Sequence, residues 1–98
     1  MKIDRTANGT KLTITLEGRL DTATAPQFEA ELSGLAGVTA LVIDMEKLVY
    51  VSSAGLRVLL KAQKIMNKQG GMVIRHVSQD IRDIFEVTGF DEILTIEG

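Results

Sequence analysis

The chain contains no cysteine, no tryptophan, one proline and one histidine, and aromatics make up 4% of its residues. Without cysteine there are no disulfides and no thiolate metal sites, which suits a reducing cytosol. No His/Asp/Glu set stands at metal-ligand spacing along the chain, and no Gly-x-x-x-x-Gly-Lys phosphate loop occurs. No segment approaches the roughly 20 apolar residues that span a bilayer. The opening MKIDRTANGT lacks the apolar core of a signal peptide. Charge of one sign is also lacking, since 11 Lys and Arg against 13 Asp and Glu leave a net charge of −2. No overall field therefore draws the chain to nucleic acid or anionic lipid. These absences predict a small cytoplasmic protein with no cofactor, no membrane insertion and no direct nucleic acid binding.

What is present is ordinary globular material: 98 residues, 45% hydrophobic and 24% charged. That length supports one core, so residues 1–98 are expected to form one domain. In KLTITLEG, Leu12, Ile14 and Leu16 alternate with Thr13, Thr15 and Glu17, which predicts a half-buried strand. Asn8-Gly9 before it signals a hairpin with the N-terminal residues. In TATAPQFEAELSGLAG, Phe28, Leu32 and Leu35 recur at helical spacing. Thr24 and Gln27 suggest a capping box, and Pro26 falls in the first turn.

VTALVID is apolar on both faces, which predicts a central strand covered by helices on each side. A helix from about Ser53 to Gln69 should stop at Gly70-Gly71. MVIRHV reads as a further strand. Ser78 can cap a third helix with Ile81, Ile84, Phe85 and Thr88 on one face, and Gly89 supplies a left-handed stop against which Phe90 packs back. EILTIEG closes as a short strand. The predicted order is β-β-α-β-α-β-α-β: an α/β domain with a mixed, mainly parallel sheet, an N-terminal β-hairpin and three helices joined by right-handed crossovers.

The junction LVIDMEKLVYVSSAGLRVLL, Leu41 to Leu60, carries the functional question. The chain leaves a strand and enters a helix across two serines, at the end of an α/β strand where partners and ligands tend to meet loops. A serine there can simply cap the helix. At about 100° per residue, Leu56, Leu59, Leu60, Gln63 and Met66 form the core side. Arg57, Lys61, Lys64 and Lys68 line a separate basic stripe that is almost free of acids. Extrapolated backward, Ser53 lies at the edge of that stripe and Ser52 points toward the core. The stripe reads either as a solvated face or as a surface for an acidic partner or an added phosphate.

Catalysis fits poorly. The hydrolase elbow needs Gly-x-Ser-x-Gly, and Val51 stands where the first glycine belongs. A nucleophilic serine needs a base, and the one histidine, His76, comes from another strand and is expected at the surface near its end. No Ser-x-x-Lys follows either serine. Asp21 and Asp44, expected near strand ends, make a weak acid–base pair. No catalytic residue is assigned.

DMEKLVYVSSAGLRVLL resembles the signature of the STAS domain, found in bacterial anti-sigma-factor antagonists and in cytoplasmic tails of sulfate transporters. That signature has an acid closing a strand, a hydrophobic residue four positions on, and a short Asp-Ser-x-Gly-Leu opening a helix. Asp44, Leu48 and Ser53-Ala54-Gly55-Leu56 match it. GRLDTATAPQFEAEL is similar to the family's Gly-x-Leu-Asp through Gly18, Leu20 and Asp21. The layout agrees along nearly the whole chain, through VTGFDEILTI.

The resemblance implies a binding protein switched by phosphorylation, not an enzyme. Unmodified, such an antagonist binds an anti-sigma factor that is also a serine kinase and so frees the sigma factor. The kinase phosphorylates the serine opening this helix and the antagonist lets go; a metal-dependent PP2C-type phosphatase resets it. Carried over, the phosphoacceptor is Ser53, and Asp21 sits in the neighbouring loop as part of the same partner surface. Joined to the basic stripe, the expected partner surface comprises Asp21, Thr22, Ser52, Ser53, Gly55, Leu56, Arg57, Lys61 and Lys64. The family often has Asp directly before the phosphoacceptor, where this chain has Ser52. The alternative within the family is a scaffold or accessory subunit of a stress-signalling or membrane transporter complex.

Overall fold

In a computed structural model covering all 98 residues, ten segments of regular structure follow the expected order. Strand β1 (Lys2–Asn8) turns at Gly9 into β2 (Lys11–Leu20), and helix α1 (Ala25–Glu31) runs into a short 3-10 turn, Leu32–Gly34. Strand β3 (Ala40–Val51) leads into α2 (Ser53–Asn67), then β4 (Gly71–Arg75), α3 (Gln79–Thr88), a 3-10 turn at Phe90–Glu92 and β5 (Ile96–Glu97). The five strands lie in chain order; β1 pairs antiparallel with β2, and every other neighbour is parallel.

Strands that follow chain order, joined by right-handed crossovers, carry all three helices over one face. The core agrees. Leu12, Ile14, Leu16, Leu41, Ile43, Met45, Met72 and Ile74 meet Phe28, Leu56, Leu59, Met66, Ile81 and Phe85 in one cluster. This corrects the expectation of helices on both sides of VTALVID. Val42 is buried outside that cluster, on the far face, where Thr13 and Val73 are its direct cross-strand neighbours. Neighbouring side chains within the sheet thus give the apolar signal that suggested a second helical layer.

Strand β3 is longer than expected. It runs on from Asp44 to Val51, paired with the tail of β2 across register shifts at Thr15/Glu17 and Gly18/Arg19. Asp44 is therefore mid-strand, although it is the last residue of β3 paired with β4. Met45, Leu48 and Val51 point into the core while Val49 and Tyr50 remain exposed. The three-residue interval between them, in a stretch where the register with β2 shifts twice, replaces the two-residue strand period and hides it.

Helix ends mostly follow their signals. Ser78 caps α3 by accepting the Ile81 N–H at 3.3 Å, and Gly89 closes it with φ 77°. The Thr24–Gln27 capping box does not form. The Thr24 hydroxyl instead donates to the Arg19 carbonyl at 2.7 Å and accepts from the Asp21 N–H at 2.9 Å, while the Gln27 amide reaches the Met1 carbonyl. Helix α2 stops at Asn67, two residues early, and Gly70 is needed because any Cβ there would run into the Thr39 backbone.

Candidate functional site

The end of β2 and the first turn of α2 are built as one unit. Leu20 pairs with Val51, and the Ser52 N–H donates to the Leu20 carbonyl at 2.8 Å. Ser52 is extended, with φ −97° and ψ 176°, and its hydroxyl accepts the Gly55 N–H at 3.5 Å. Ser53 is the first helical residue and exposed, and its hydroxyl bonds to nothing within the chain. The two serines therefore divide the work as the helical wheel anticipated: Ser52 is the half-buried cap and Ser53 the free hydroxyl.

Gly55 is buried. A Cβ on it would stand 2.6 Å from Leu20 Cγ and 2.9 Å from Val51 Cγ2. Its small size lets the first turn of α2 sit directly on the ends of β2 and β3. Leu56 is 4% exposed and belongs to the core. Both are buried and fix where Ser52 and Ser53 stand, so within the expected partner surface they lie beneath the exposed residues.

Beside them lies the turn that opens α1. Asp21 Oδ1 accepts the Ala23 N–H at 3.0 Å and the Thr24 N–H at 3.2 Å, and its other oxygen is 3.7 Å from Arg19 Nε. Burial pushes the Asp21 carboxyl up, but the bonds from Thr24 and Ala23 and the charge of Arg19 outweigh it and hold the group below the usual carboxylate range. Arg19 in turn lies 4.4 Å from the centroid of the Tyr50 ring, tying this turn to β3. Thr22 is exposed beside it.

Between α1 and α2 a cleft of about 380 Å³ opens onto this surface. Ala25, Pro26, Ala54 and Val58 form its apolar walls; Thr22, Arg57, Glu29 and Lys61 are its polar members. Arg57, Lys61, Lys64 and Lys68 are all exposed, as the stripe requires. The stripe is not free of acid, however: Lys61 Nζ is 3.6 Å from Glu29 Oε2 of α1. Arg57, Lys64 and Lys68 have no carboxylate within bridging distance.

A second cluster was invisible in the linear sequence. Asp44, Glu46 and His76 place potential ligand atoms within 4.8 Å of one another at the end of β4. His76 Nδ1 lies 3.1 Å from Asp44 Oδ2, Asp44 Oδ1 accepts the Glu46 N–H, and His76 adopts φ 59°. Thirty-two positions separate His76 from Asp44, so only the β3–β4 register reveals the group. His76 is exposed near a strand end, as expected. No helix is long and apolar enough to cross a membrane.

The five-stranded mixed sheet with three helices is the α/β fold of the STAS class, and the chain belongs to the STAS domain family: the family model described as Mlab, STAS domain, matches residues 3–95. Among its relatives is BtrV of Bordetella bronchiseptica, named as an anti-sigma factor antagonist, 39% identical over 83% of this chain and 72% of that protein. The anti-sigma-B factor antagonist of Bacillus subtilis is 29% identical over 98% of this chain and 90% of its own length. In structure, an anti-sigma factor antagonist from Mycobacterium paratuberculosis superposes with a TM-score of 0.85 at 22% identity, covering 97% of this chain and 83% of that one.

Proposed function

We propose that this protein is an anti-sigma-factor antagonist controlled by phosphorylation of Ser53. In this reading it binds an anti-sigma factor that is also a serine kinase, frees the sigma factor, and is released when the kinase phosphorylates it; a PP2C-type phosphatase restores it in the cytoplasm. The observation that carries the proposal is the division between the serines. Ser52 holds the cap, so Ser53 presents a free hydroxyl at a helix start without giving up a structural bond. In this reading Asp21, Thr22, Ser52, Arg57, Lys61 and Lys64 form the partner surface with Ser53, supported by the exposure of Thr22, Arg57, Lys61 and Lys64, while the buried Gly55 and Leu56 hold the first turn of α2 beneath it.

Free N–H groups and the positive end of the helix dipole favour an added phosphate there. A partner surface built around a neutral hydroxyl does not accommodate that dianion without leaving it buried and unpaired. The test is incubation with the purified cognate anti-sigma factor and ATP, followed by intact-mass and fragment analysis. One phosphate should appear, Ser53→Ala should abolish it, and Ser52→Ala should not. Phosphate on Ser52, or none on either residue, would overturn the reading.

A further inference from the structure

Resting on the function proposed above, we infer that the α1–α2 cleft is the anchor pocket for the partner, and that its occupant is a partner carboxylate flanked by an apolar contact. Shape and charge point to this together. Ala25, Pro26, Ala54 and Val58 give the cleft apolar walls of small side chains. Its charged members are Arg57, Lys61 and Glu29, a net charge of +1 in a chain of net −2. Arg57 has no carboxylate partner, and its guanidinium fork matches a carboxylate with two parallel hydrogen bonds. Lys61 shows that the cleft's cations take a carboxylate, because Glu29 already holds it at 3.6 Å.

That internal bridge is the part an incoming acid must displace. Both of its side chains are more than half exposed, at 56% and 52%, so breaking it costs little. Glu29 thus acts as an occupant of low affinity that keeps Lys61 aimed across the cleft and yields it to the partner. The same geometry links the pocket to the switch. Ala54, which follows Ser53 directly, lines the cleft, and Arg57 stands one helical turn beyond Ser53, within reach of its side chain. A phosphate on Ser53 draws Arg57 to itself and repels the carboxylate that Arg57 would otherwise hold.

The sign of one substitution separates this arrangement from a merely charged surface. Affinity for the purified anti-sigma factor is measured for variants with wild-type urea midpoints. Arg57→Gln should weaken binding by about tenfold or more, the loss of a charge-assisted pair. Ala54→Leu, which fills the cleft from a half-exposed position, should weaken it to a similar extent. Glu29→Gln should tighten binding by about two- to fivefold, because it removes the competing carboxylate. Weaker binding by Glu29→Gln would mean that Glu29 itself meets a partner cation, and unchanged binding by Arg57→Gln and Ala54→Leu would mean the cleft stays empty; either result overturns the proposal. A photo-crosslinking residue at Pro26 should capture a partner peptide containing Asp or Glu, and a captured peptide without either would count against it. Self-association of the protein alone that Arg57→Gln abolishes would put a second copy in the cleft, which also overturns it. If cleft variants bind normally while Ser53 is still phosphorylated, the pocket fails and the antagonist reading stands. If they alter binding while Ser53 takes no phosphate, the reverse holds.

Discussion

Helices α2 and α3 both open on a serine whose hydroxyl accepts the amide three residues on, Ser52 from Gly55 at 3.5 Å and Ser78 from Ile81 at 3.3 Å. Beyond that bond the two starts differ. Helix α3 follows its cap with Gln79 and Asp80, placing an acid in the first turn where the helix dipole favours it. Helix α2 has no acid in its first turn. It carries instead a second serine, a buried glycine and the first cation of an exposed stripe. The opening of α3 is furnished for stability. That of α2 leaves its positive end uncompensated and beside a cleft, a departure expected where a surface serves binding.

The largest expected effect separates the two openings by function. Phosphorylation of Ser53 should lower affinity for the anti-sigma factor by at least about a hundredfold, from burying an unpaired dianion in the interface. The urea midpoint should stay level or rise slightly, since negative charge at an exposed helix N-terminus contributes roughly 0.3–1 kcal/mol. Ser53→Asp should reproduce both signs more weakly, having one charge and fewer acceptors. Equilibrium denaturation and binding titrations on the same three proteins check this. A midpoint that fell together with affinity would show that the phosphate melts α2.

Next in size is the glycine that only the α2 opening needs. Gly55→Ala forces a methyl against Leu20 and Val51. Overpacking costs about 1–3 kcal/mol, and better helix propensity offsets up to about 1 of it. A net loss of about 1–2 kcal/mol in urea unfolding is expected, together with weaker partner binding, because the serines move with the first turn. A stabilised variant with normal binding would show that Leu20 and Val51 yield freely.

The cap serines should then behave alike. Ser52→Ala and Ser78→Ala should each lose about 1 kcal/mol, the usual value of an N-cap, while Ser53→Ala should stay within about 0.5 kcal/mol of wild type. Thermal or urea midpoints of the three single variants decide it. A loss at Ser53 equal to that at Ser52 would erase the distinction between cap and free hydroxyl.

Much of this was legible in the sequence where one local rule governs the outcome. The alternation of β2, the Ser78 cap, the Gly89 stop and the orientation of the two serines all follow from spacing within a single element. What escaped depends on neighbours. The length of β3 is set by pairing with the β2 tail, along which a three-residue interval replaces the period that marks a strand. The single helical layer follows from strand order, which no window of residues contains. The Lys61–Glu29 bridge joins two helices, and the Asp44–Glu46–His76 group joins two strands. Thr24 looked like a cap because the pattern does not show that Asp21 already claims its hydroxyl.

That competing claim supplies the smallest and most specific difference between the openings, since the start of α2 leans on the Asp21 turn through the Leu20–Ser52 bond, whereas the start of α3 is tied through Val77 to the Gly98 carbonyl. Asp21→Asn keeps an oxygen to accept from Ala23 and Thr24 and loses the charge facing Arg19. The folded-state carboxyl lies below its ordinary value of 3.8. Its contribution is therefore fully present above that value and is lost as pH falls through the lower, folded one. The variant should be slightly less stable than wild type at pH 7, and the gap should close on acidification below about pH 4. Partner affinity at pH 7 should drop modestly, because the turn beside Ser52 holds its shape without the ion pair. Paired urea midpoints at pH 7 and pH 3 read the effect directly. An equal gap at both values would mean that the turn needs the shape of Asp21 and not its charge, and a gap that widened in acid would reverse the sign derived from the Thr24, Ala23 and Arg19 contacts.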